Sequence, residues 1–164
     1  MLPKKMEDEF NKQINNELFS AYLYLSMSAF FESKNLHGFA SWTRIQAKEE
    51  AIHAIKFFSY ITERNGKVCL KEVKSPKSNW TSPLEVFEDT YKKESEITKN
   101  INDLVHLSHT EKDHTSSSFL NWFLQEQVQE ESSALEILEK LKLIKDNVGA
   151  LFILDKELSQ RKDK

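Results

Sequence analysis

The sequence predicts an all-α protein: a four-helix bundle with a long crossover between its second and third helices, and a short fifth helix near the C-terminal end. Glycine and proline number only three each among 164 residues, so the turns that a β-sandwich or barrel needs about every 8–12 residues are missing. Four segments of nearly thirty residues instead carry apolar side chains at steps of three and four, the spacing of one buried helix face. The length suits a single domain over residues 1–164.

The first two helices are expected over residues 4–33 and about 36–64. In the first, the predicted buried positions follow one stripe: Phe10, Ile14, Leu18, Ala21 and Leu25. In the second, Ile52 is one of the apolar positions, and Asn65-Gly66 supplies a C-terminal stop.

The third helix has the clearest start in the sequence. Ser82 suits the N-cap, Pro83 the first helical position, and Glu85 completes a capping box. This helix is expected to end at about residue 109. Asp113 can cap a fourth helix that runs to about 142, and a fifth follows over about 148–159.

Residues 65–82 show no helical period and form the long connection. Each main helix spans about 40 Å, and about 18 extended residues reach about 60 Å, enough to cross the bundle end to end. The expected order is therefore a hairpin, a long crossover and a second hairpin.

Charge and cysteine usage exclude several classes of function. The net charge of −3 and the pI near 6.0 give no general attraction to nucleic acid or anionic membranes. Cys69 is the only cysteine, so an internal disulfide, a CxxC redox pair and a Cys-rich metal site are excluded. Neither a signal peptide nor a membrane-spanning run is apparent in the sequence, which predicts a cytoplasmic protein.

Acidic residues occur where the helices should be apolar. Glu17, Glu94 and Glu130 fall within the apolar stripes of three helices, and Glu50 and His53 share a face of another. Any one of these carboxylates could be a boundary residue whose head reaches water. Several that converge would repel one another and require a cation between them, for which a divalent metal with oxygen and imidazole ligands is the natural choice.

The positions along the helices agree with convergence. Antiparallel packing brings Glu17 and Glu50 to within about 3 Å of the same height, and Glu94 and Glu130 to within one turn. All four lie near mid-helix, so this estimate fits either bundle topology.

Taken together, these residues resemble the ferritins, and most closely the bacterial non-haem ferritins, over essentially the whole chain. The resemblance is carried by Asn16-Glu17 with Tyr22-Leu23-Tyr24, by Lys48-Glu49-Glu50-Ala51-Ile52-His53-Ala54, by Glu94, and by Trp122-Phe123-Leu124-Gln125-Glu126-Gln127. It implies the ferritin-like four-helix bundle and a di-iron carboxylate site.

The resemblance also implies a role for each site residue. Glu17, Glu50 and His53 resemble the ligands of a first iron, and Glu50 would bridge to a second. That second iron would be held by Glu94 and Glu130. The remaining implied positions are Gln127 beside the second iron, Tyr24 as a possible electron donor or radical site, Trp122 as the neighbouring aromatic, and Glu49, Glu126 and Glu130 at a third iron site.

Some positions depart from parts of the family. Gln129 stands where a further glutamate often lies, which puts the strength of the third site in doubt. Ala51 stands where haem-binding bacterioferritins place a methionine, so haem is not expected. The single cysteine argues against a rubrerythrin-like protein, and the fifth helix against the smaller Dps-type relatives.

The implied function is iron storage with ferroxidase activity: Fe(II) is oxidised by O₂ or peroxide, and Fe(III) is stored inside a homo-oligomeric cage of 24 subunits. Two other classes stay open from the residues themselves. One is a di-iron oxygenase that acts on an organic substrate, and the other is a helical interaction module without enzymatic activity. A storage shell without oxidation would lack the paired ligands.

Overall fold

The computed structural model describes residues 1–162, and over this range the chain forms five α-helices. They are α1 (Lys4–Ser33), α2 (His37–Glu63), α3 (Pro83–Thr110), α4 (His114–Ile144) and α5 (Val148–Leu158). The all-α fold is confirmed, and each helix boundary lies within two residues of the one expected from the sequence. The predicted single domain ends at residue 164, and its last two residues lie outside the described range.

The apolar side chains form two cores, one at each end of the bundle. The lower core contains the start of α1 and α4 and the end of α2 and α3, and includes Phe10, Phe57 and Phe123. The upper core contains the opposite ends of these helices together with α5, and includes Phe31 and Phe39. Both α2 and α3 therefore run from the upper core to the lower one, which settles the topology that the sequence left open.

The crossover lies along α1 on its way between the two ends. The Asn11 amide donates to Lys67 O at 2.9 Å and accepts from Cys69 N at 2.7 Å. Further along, Ser26 Oγ donates to Lys77 O at 2.7 Å. Trp80 then enters the upper core, where its ring centroid lies 5.6 Å from that of Phe30. Side-chain contacts thus fix a long segment that has no helix of its own.

The start of α3 differs in one detail from the expected capping box. Ser82 Oγ accepts from Glu85 N at 3.2 Å, as expected of an N-cap. The Glu85 carboxylate reaches back one residue further, to Thr81 N at 2.6 Å and Thr81 Oγ1 at 2.7 Å. Lys77 and these Thr81 groups lower the pKa of Glu85 to about 2.

One position placed on a buried face is wrong, and one apolar position of α2 is also largely exposed. Leu25 is 50% exposed and Ile52 is 48% exposed. Leu25 lies about 80° around α1 from Glu17, at the margin of the buried face, because successive residues advance by about 100°. Tyr24, Met27 and Phe31 occupy the core there instead.

The fifth helix packs on the start of α2. Asp155 Oδ1 accepts from Phe39 N at 3.0 Å and so satisfies a free amide of the first turn of α2. At Gly38, an added Cβ would lie 1.6 Å from Asp155 O, so only glycine permits this approach. Among the helices of residues 1–162, none is long and apolar enough to cross a membrane.

Candidate metal centre

A layer of buried polar side chains separates the upper core from the lower one. Each of the four long helices contributes one glutamate to it: Glu17, Glu50, Glu94 and Glu130, all at most 3% exposed. His53, one turn beyond Glu50 on α2, is 2% exposed. The structure thus buries at mid-bundle the acidic residues that the sequence placed there.

Glu17, Glu50 and His53 form the first candidate metal group. One ligand atom from each lies within 4.8 Å of the others. Glu17 Oε1 accepts from Gln13 Nε2 at 2.7 Å, and Glu17 Oε2 has no hydrogen-bond partner among the described residues. Glu50 Oε2 lies 3.6 Å from His53 Nδ1, beyond normal hydrogen-bond length. These nearby ligand atoms would be satisfied by a cation at their centre.

A second candidate group contains His53, Glu126 and Glu130, again with ligand atoms within 4.8 Å of one another. Glu130 is buried and Glu126 is half-buried. His53 belongs to both groups, so the two candidate positions are adjacent. Gln46 Nε2 links them further, because it donates to Glu50 Oε1 at 3.1 Å and to Glu130 Oε2 at 2.6 Å.

Glu94 belongs to neither of the groups found among residues 1–162. Its Oε1 accepts a short hydrogen bond from the Tyr24 hydroxyl, and its Oε2 accepts from Gln127 Nε2 at 3.3 Å. Tyr24 is completely buried and Gln127 is 2% exposed. The structure therefore brings Tyr24 and Gln127 to the carboxylate that the resemblance assigns to the second iron.

Burial and mutual repulsion make two of the carboxyl groups hard to ionise. Burial, followed by the charge of Glu50, raises the pKa of Glu17 well above its ordinary value. The same two causes raise the pKa of Glu94. Burial and the charge of Glu94 also raise the pKa of the Tyr24 hydroxyl. A divalent cation would reverse these shifts for the carboxyl groups by supplying the missing positive charge.

The pKa values of Glu50 and His53 are shifted in the directions that favour an ion pair between them. Burial by itself raises the pKa of Glu50, but the interactions with His53, Glu17 and Gln46 together outweigh it, and the pKa lies below its ordinary value. Burial lowers the pKa of His53, but Glu50 and the further carboxylates of Glu130 and Glu126 outweigh it, and the pKa is raised. The carboxylates of the layer thus favour the positively charged form of His53.

Glu49 lies beside this layer but has a protein cation as its partner. It is 6% exposed, and its Oε2 accepts a short hydrogen bond from Arg161 Nη2. The resemblance to the ferritins implies that Glu49 lies with Glu126 and Glu130 at a third iron site. The candidate groups of residues 1–162 bring Glu126 and Glu130 together with His53, and Glu49 is in neither.

Trp122 lies between His53 and solvent. Its ring centroid is 5.4 Å from that of His53 in an edge-on contact, and Lys56 Nζ lies 4.1 Å from the centroid of the Trp122 ring. The indole is 39% exposed. It therefore covers the imidazole at the surface of the bundle.

Gln13 and Gln46 were missed in the sequence, although both contact the centre. Each lies four residues before a glutamate of the layer, at Gln13-x-x-x-Glu17 and Gln46-x-x-x-Glu50. That spacing places an amide on the same helix face, one turn away, where it can donate to the carboxylate. The repeated spacing is the signal that could have identified them.

The donor set suits iron. Carboxylate oxygens with one imidazole nitrogen bind hard and borderline divalent ions, and the adjacent groups offer two positions that share His53. The amides and the tyrosine donate hydrogen bonds to the carboxylates, which fixes their orientation as outer hydrogen bonds do around metal sites.

Comparison with known sequences agrees with this description. The family model for the ferritin-like domain matches residues 7–144. The chain is 38% identical over 161 residues to the bacterial non-heme ferritin of Staphylococcus aureus (strain USA300), covering 98% of this chain and 97% of that protein. The bacterial non-heme ferritin of Staphylococcus epidermidis is similar to the same extent.

Solved structures show the same fold over the whole chain. A closed form of the Archaeoglobus fulgidus ferritin, engineered by site-directed mutagenesis, superposes with a TM-score of 0.98 at 48% identity and covers 100% of both chains. A structure of the open pore ferritin from that archaeon superposes with a TM-score of 0.97 at 49% identity, with 98% of each chain covered.

Proposed function

This chain belongs to the ferritin family, and on that premise we propose that its buried layer of carboxylates is a ferroxidase centre that oxidises Fe(II) and delivers Fe(III) for storage. The observation that carries the proposal is the convergence of four buried glutamates and one histidine from four helices. Such a layer is unfavourable without a cation, because it removes several carboxylates from water and places them together.

The proposed ligands follow from the two groups and their neighbours. Glu17, Glu50 and His53 hold a first iron. Glu130, Glu94, Gln127 and Glu126 supply the donors for a second. This assignment is supported by the short distances within the two groups, and by the hydrogen bonds that hold Glu94 close to the layer.

Iron is the substrate of the proposed reaction. Each Fe(II) gives up one electron, and the pair passes either to O₂, which takes two protons to become H₂O₂, or to H₂O₂, which takes two protons to become water. The carboxylates favour this direction because their negative charge stabilises Fe(III) more than Fe(II). The hydrogen bond from Tyr24 to Glu94 supports a role for Tyr24 in donating an electron or in orienting that carboxylate.

Iron storage requires an enclosed cavity in which Fe(III) can accumulate. We propose that the chain assembles with copies of itself into the 24-subunit cage of the family. Ala51 at the position of the bacterioferritin methionine supports a cage without haem. A cytoplasmic location stays a prediction from the sequence, and so does the single domain over residues 1–164.

The proposal is tested by anaerobic Fe(II) binding followed by addition of O₂. We expect the native chain to bind Fe(II), to oxidise it much faster than buffer does, and to retain Fe(III) in a large particle. Glu50→Ala removes the carboxylate that His53 and Gln46 both contact, so it should abolish rapid oxidation. Glu63→Gln, an exposed glutamate near the end of the same helix, is the matched control and should behave as the native chain.

Other outcomes separate the alternative functions. Oxidation without retention of Fe(III), combined with turnover of an organic compound, would indicate an oxygenase. Retention of iron without acceleration by the native chain would indicate storage alone. If the native chain neither binds Fe(II) nor accelerates its oxidation, the ferroxidase proposal is wrong and the bundle is a scaffold.

A further inference from the structure

Arg161, just beyond α5, reaches the edge of the candidate metal centre. Its guanidinium Nη2 donates a short hydrogen bond to Glu49 Oε2, and Nη1 donates to Trp42 O at 3.5 Å. The guanidinium carbon also lies 4.6 Å from the centroid of the Trp42 ring. Both charged side chains are shielded, with 19% of the Arg161 side chain and 8% of the Glu49 side chain exposed.

The position of Arg161 is fixed by the packing of α5. Leu154 and Leu158 are buried in the upper core, and Asp155 caps the first turn of α2. Lys140 Nζ on α4 lies 2.7 Å from Glu157 Oε1 on α5. Because α5 is held by contacts with both α2 and α4, the guanidinium of Arg161 is restricted to one position. Formation of its ion pair with Glu49 therefore costs less side-chain entropy than formation of an ordinary surface ion pair.

Arg161 also lines a cavity beside the candidate metal centre. A cavity of about 350 Å³ lies between α2, α4 and α5. Its lining includes Trp42, Gln129, Glu130 and Arg161. Glu130 belongs to the second candidate metal group, so the guanidinium and a metal ligand face the same cavity.

We propose that Arg161 limits the number of metal ions in the centre by holding the position at Glu49 that a third divalent cation would otherwise take. This inference rests on the ferroxidase proposal, because it assumes that the adjacent groups bind iron. A metal at Glu49 must displace the guanidinium or bind beside its positive charge, and either requirement weakens its binding. Gln129, which lines the same cavity, is neutral and adds no compensating charge.

The experiment is an anaerobic calorimetric titration of Zn(II), a probe without redox chemistry, and then of Fe(II). The native chain should bind about two ions per chain with high affinity, and Arg161→Gln should bind about three, the added one about tenfold or more tighter than in the native chain. Arg161→Lys keeps the charge and should return the number to that of the native chain. Lys140→Gln removes a positive charge from the same cavity, while Leu154, Leu158 and Asp155 still hold α5 against α2. It is therefore the matched control and should also bind about two.

The double variant Glu49→Gln/Arg161→Gln locates the added metal. It should lose the third ion, because the carboxylate that binds it is gone. Three results would overturn the inference: a third tight ion in the native chain, the native number in Arg161→Gln, or a third ion in Lys140→Gln. If the native chain binds neither metal, the ferroxidase proposal itself is wrong. That outcome differs from the three results above, which overturn only the inference about Arg161.

Discussion

Replacing Glu17 by glutamine should stabilise the metal-free protein and remove most of the stabilisation that metal provides. Glu17 is completely buried, and its pKa is raised by burial and by the charge of Glu50. The glutamine side chain has nearly the same shape. Its oxygen can still accept the hydrogen bond from Gln13, and its NH₂ group can donate towards Glu50, which an ionised carboxylate cannot do.

The magnitude follows from the geometry of the first metal group. Ligand oxygens of Glu17 and Glu50 lie within 4.8 Å of each other. Two unit charges at that distance repel by about 3.5 kcal/mol at an effective dielectric constant of about 20. Proton uptake already relieves part of this repulsion, so we expect the unfolding free energy to rise by about 1–3 kcal/mol, which corresponds to an increase in Tm of about 3–10 °C.

The assay is scanning calorimetry of metal-free Glu17→Gln and native protein at pH 7 and equal concentration, repeated with Zn(II) in excess. Without metal the variant should unfold at the higher temperature. With Zn(II) the order should reverse, because only the native chain offers the full set of ligands to the ion. Glu63→Gln, which removes an exposed carboxylate, should follow the native chain in both conditions.

Two results would refute the reasoning. The first is a lower Tm of the metal-free variant, which would mean that the Glu17 carboxylate is stabilised by the protein itself. The second is an equal gain from Zn(II) in the variant and the native chain, which would mean that Glu17 is not a ligand.

Three further predictions concern the electron donor, the pH dependence and the fifth helix. Tyr24→Phe removes the hydroxyl that donates to Glu94. It should slow Fe(II) oxidation about tenfold, while the affinity for Zn(II) changes much less. Equal losses of oxidation rate in stopped-flow measurements and of Zn(II) affinity in titrations would contradict a role in oxidation. Because the pKa values of Glu17 and Glu94 are raised, the metal-free folded chain binds more protons than the unfolded chain. The free energy of unfolding, measured in urea, should therefore fall as the pH rises from about 5 to 8. A rise of the unfolding free energy across that window would contradict this assignment. Gly38→Ala places a Cβ against the α5 backbone and should speed amide hydrogen exchange in residues 148–158. The control is Gly149→Ala, whose added Cβ meets its nearest atom at an ordinary 3.4 Å, and it should not speed exchange. Equal exchange rates in both variants would show that the close approach at Gly38 does not hold α5.

The sequence was sufficient for the helices and for the buried acidic layer because both are expressed in local spacing. A three-to-four step predicts a helix face, and a glutamate on that face stands out wherever it occurs. Leu25 was misplaced because an apolar residue at the margin of a face follows the same spacing as one at its centre.

Contacts between distant residues could not be predicted in the same way. Arg161 and Glu49 are separated by 112 residues, and only the docking of α5 on α2 brings them together. Gln46 could be assigned to Glu50 by its spacing, but its bond to Glu130 depends on the distance between α2 and α4. Such contacts depend on how the helices pack, which no single helix encodes.

The polar layer between the two apolar cores also restricts how the helices can be aligned. If one helix slid along its neighbours by one turn, about 5.4 Å, its glutamate would leave the layer and enter an apolar core, at a cost of several kcal/mol. Purely apolar faces tolerate such slippage far better, because one aliphatic side chain can replace another. The charges that destabilise the metal-free protein therefore select a single packing of the bundle over its shifted alternatives.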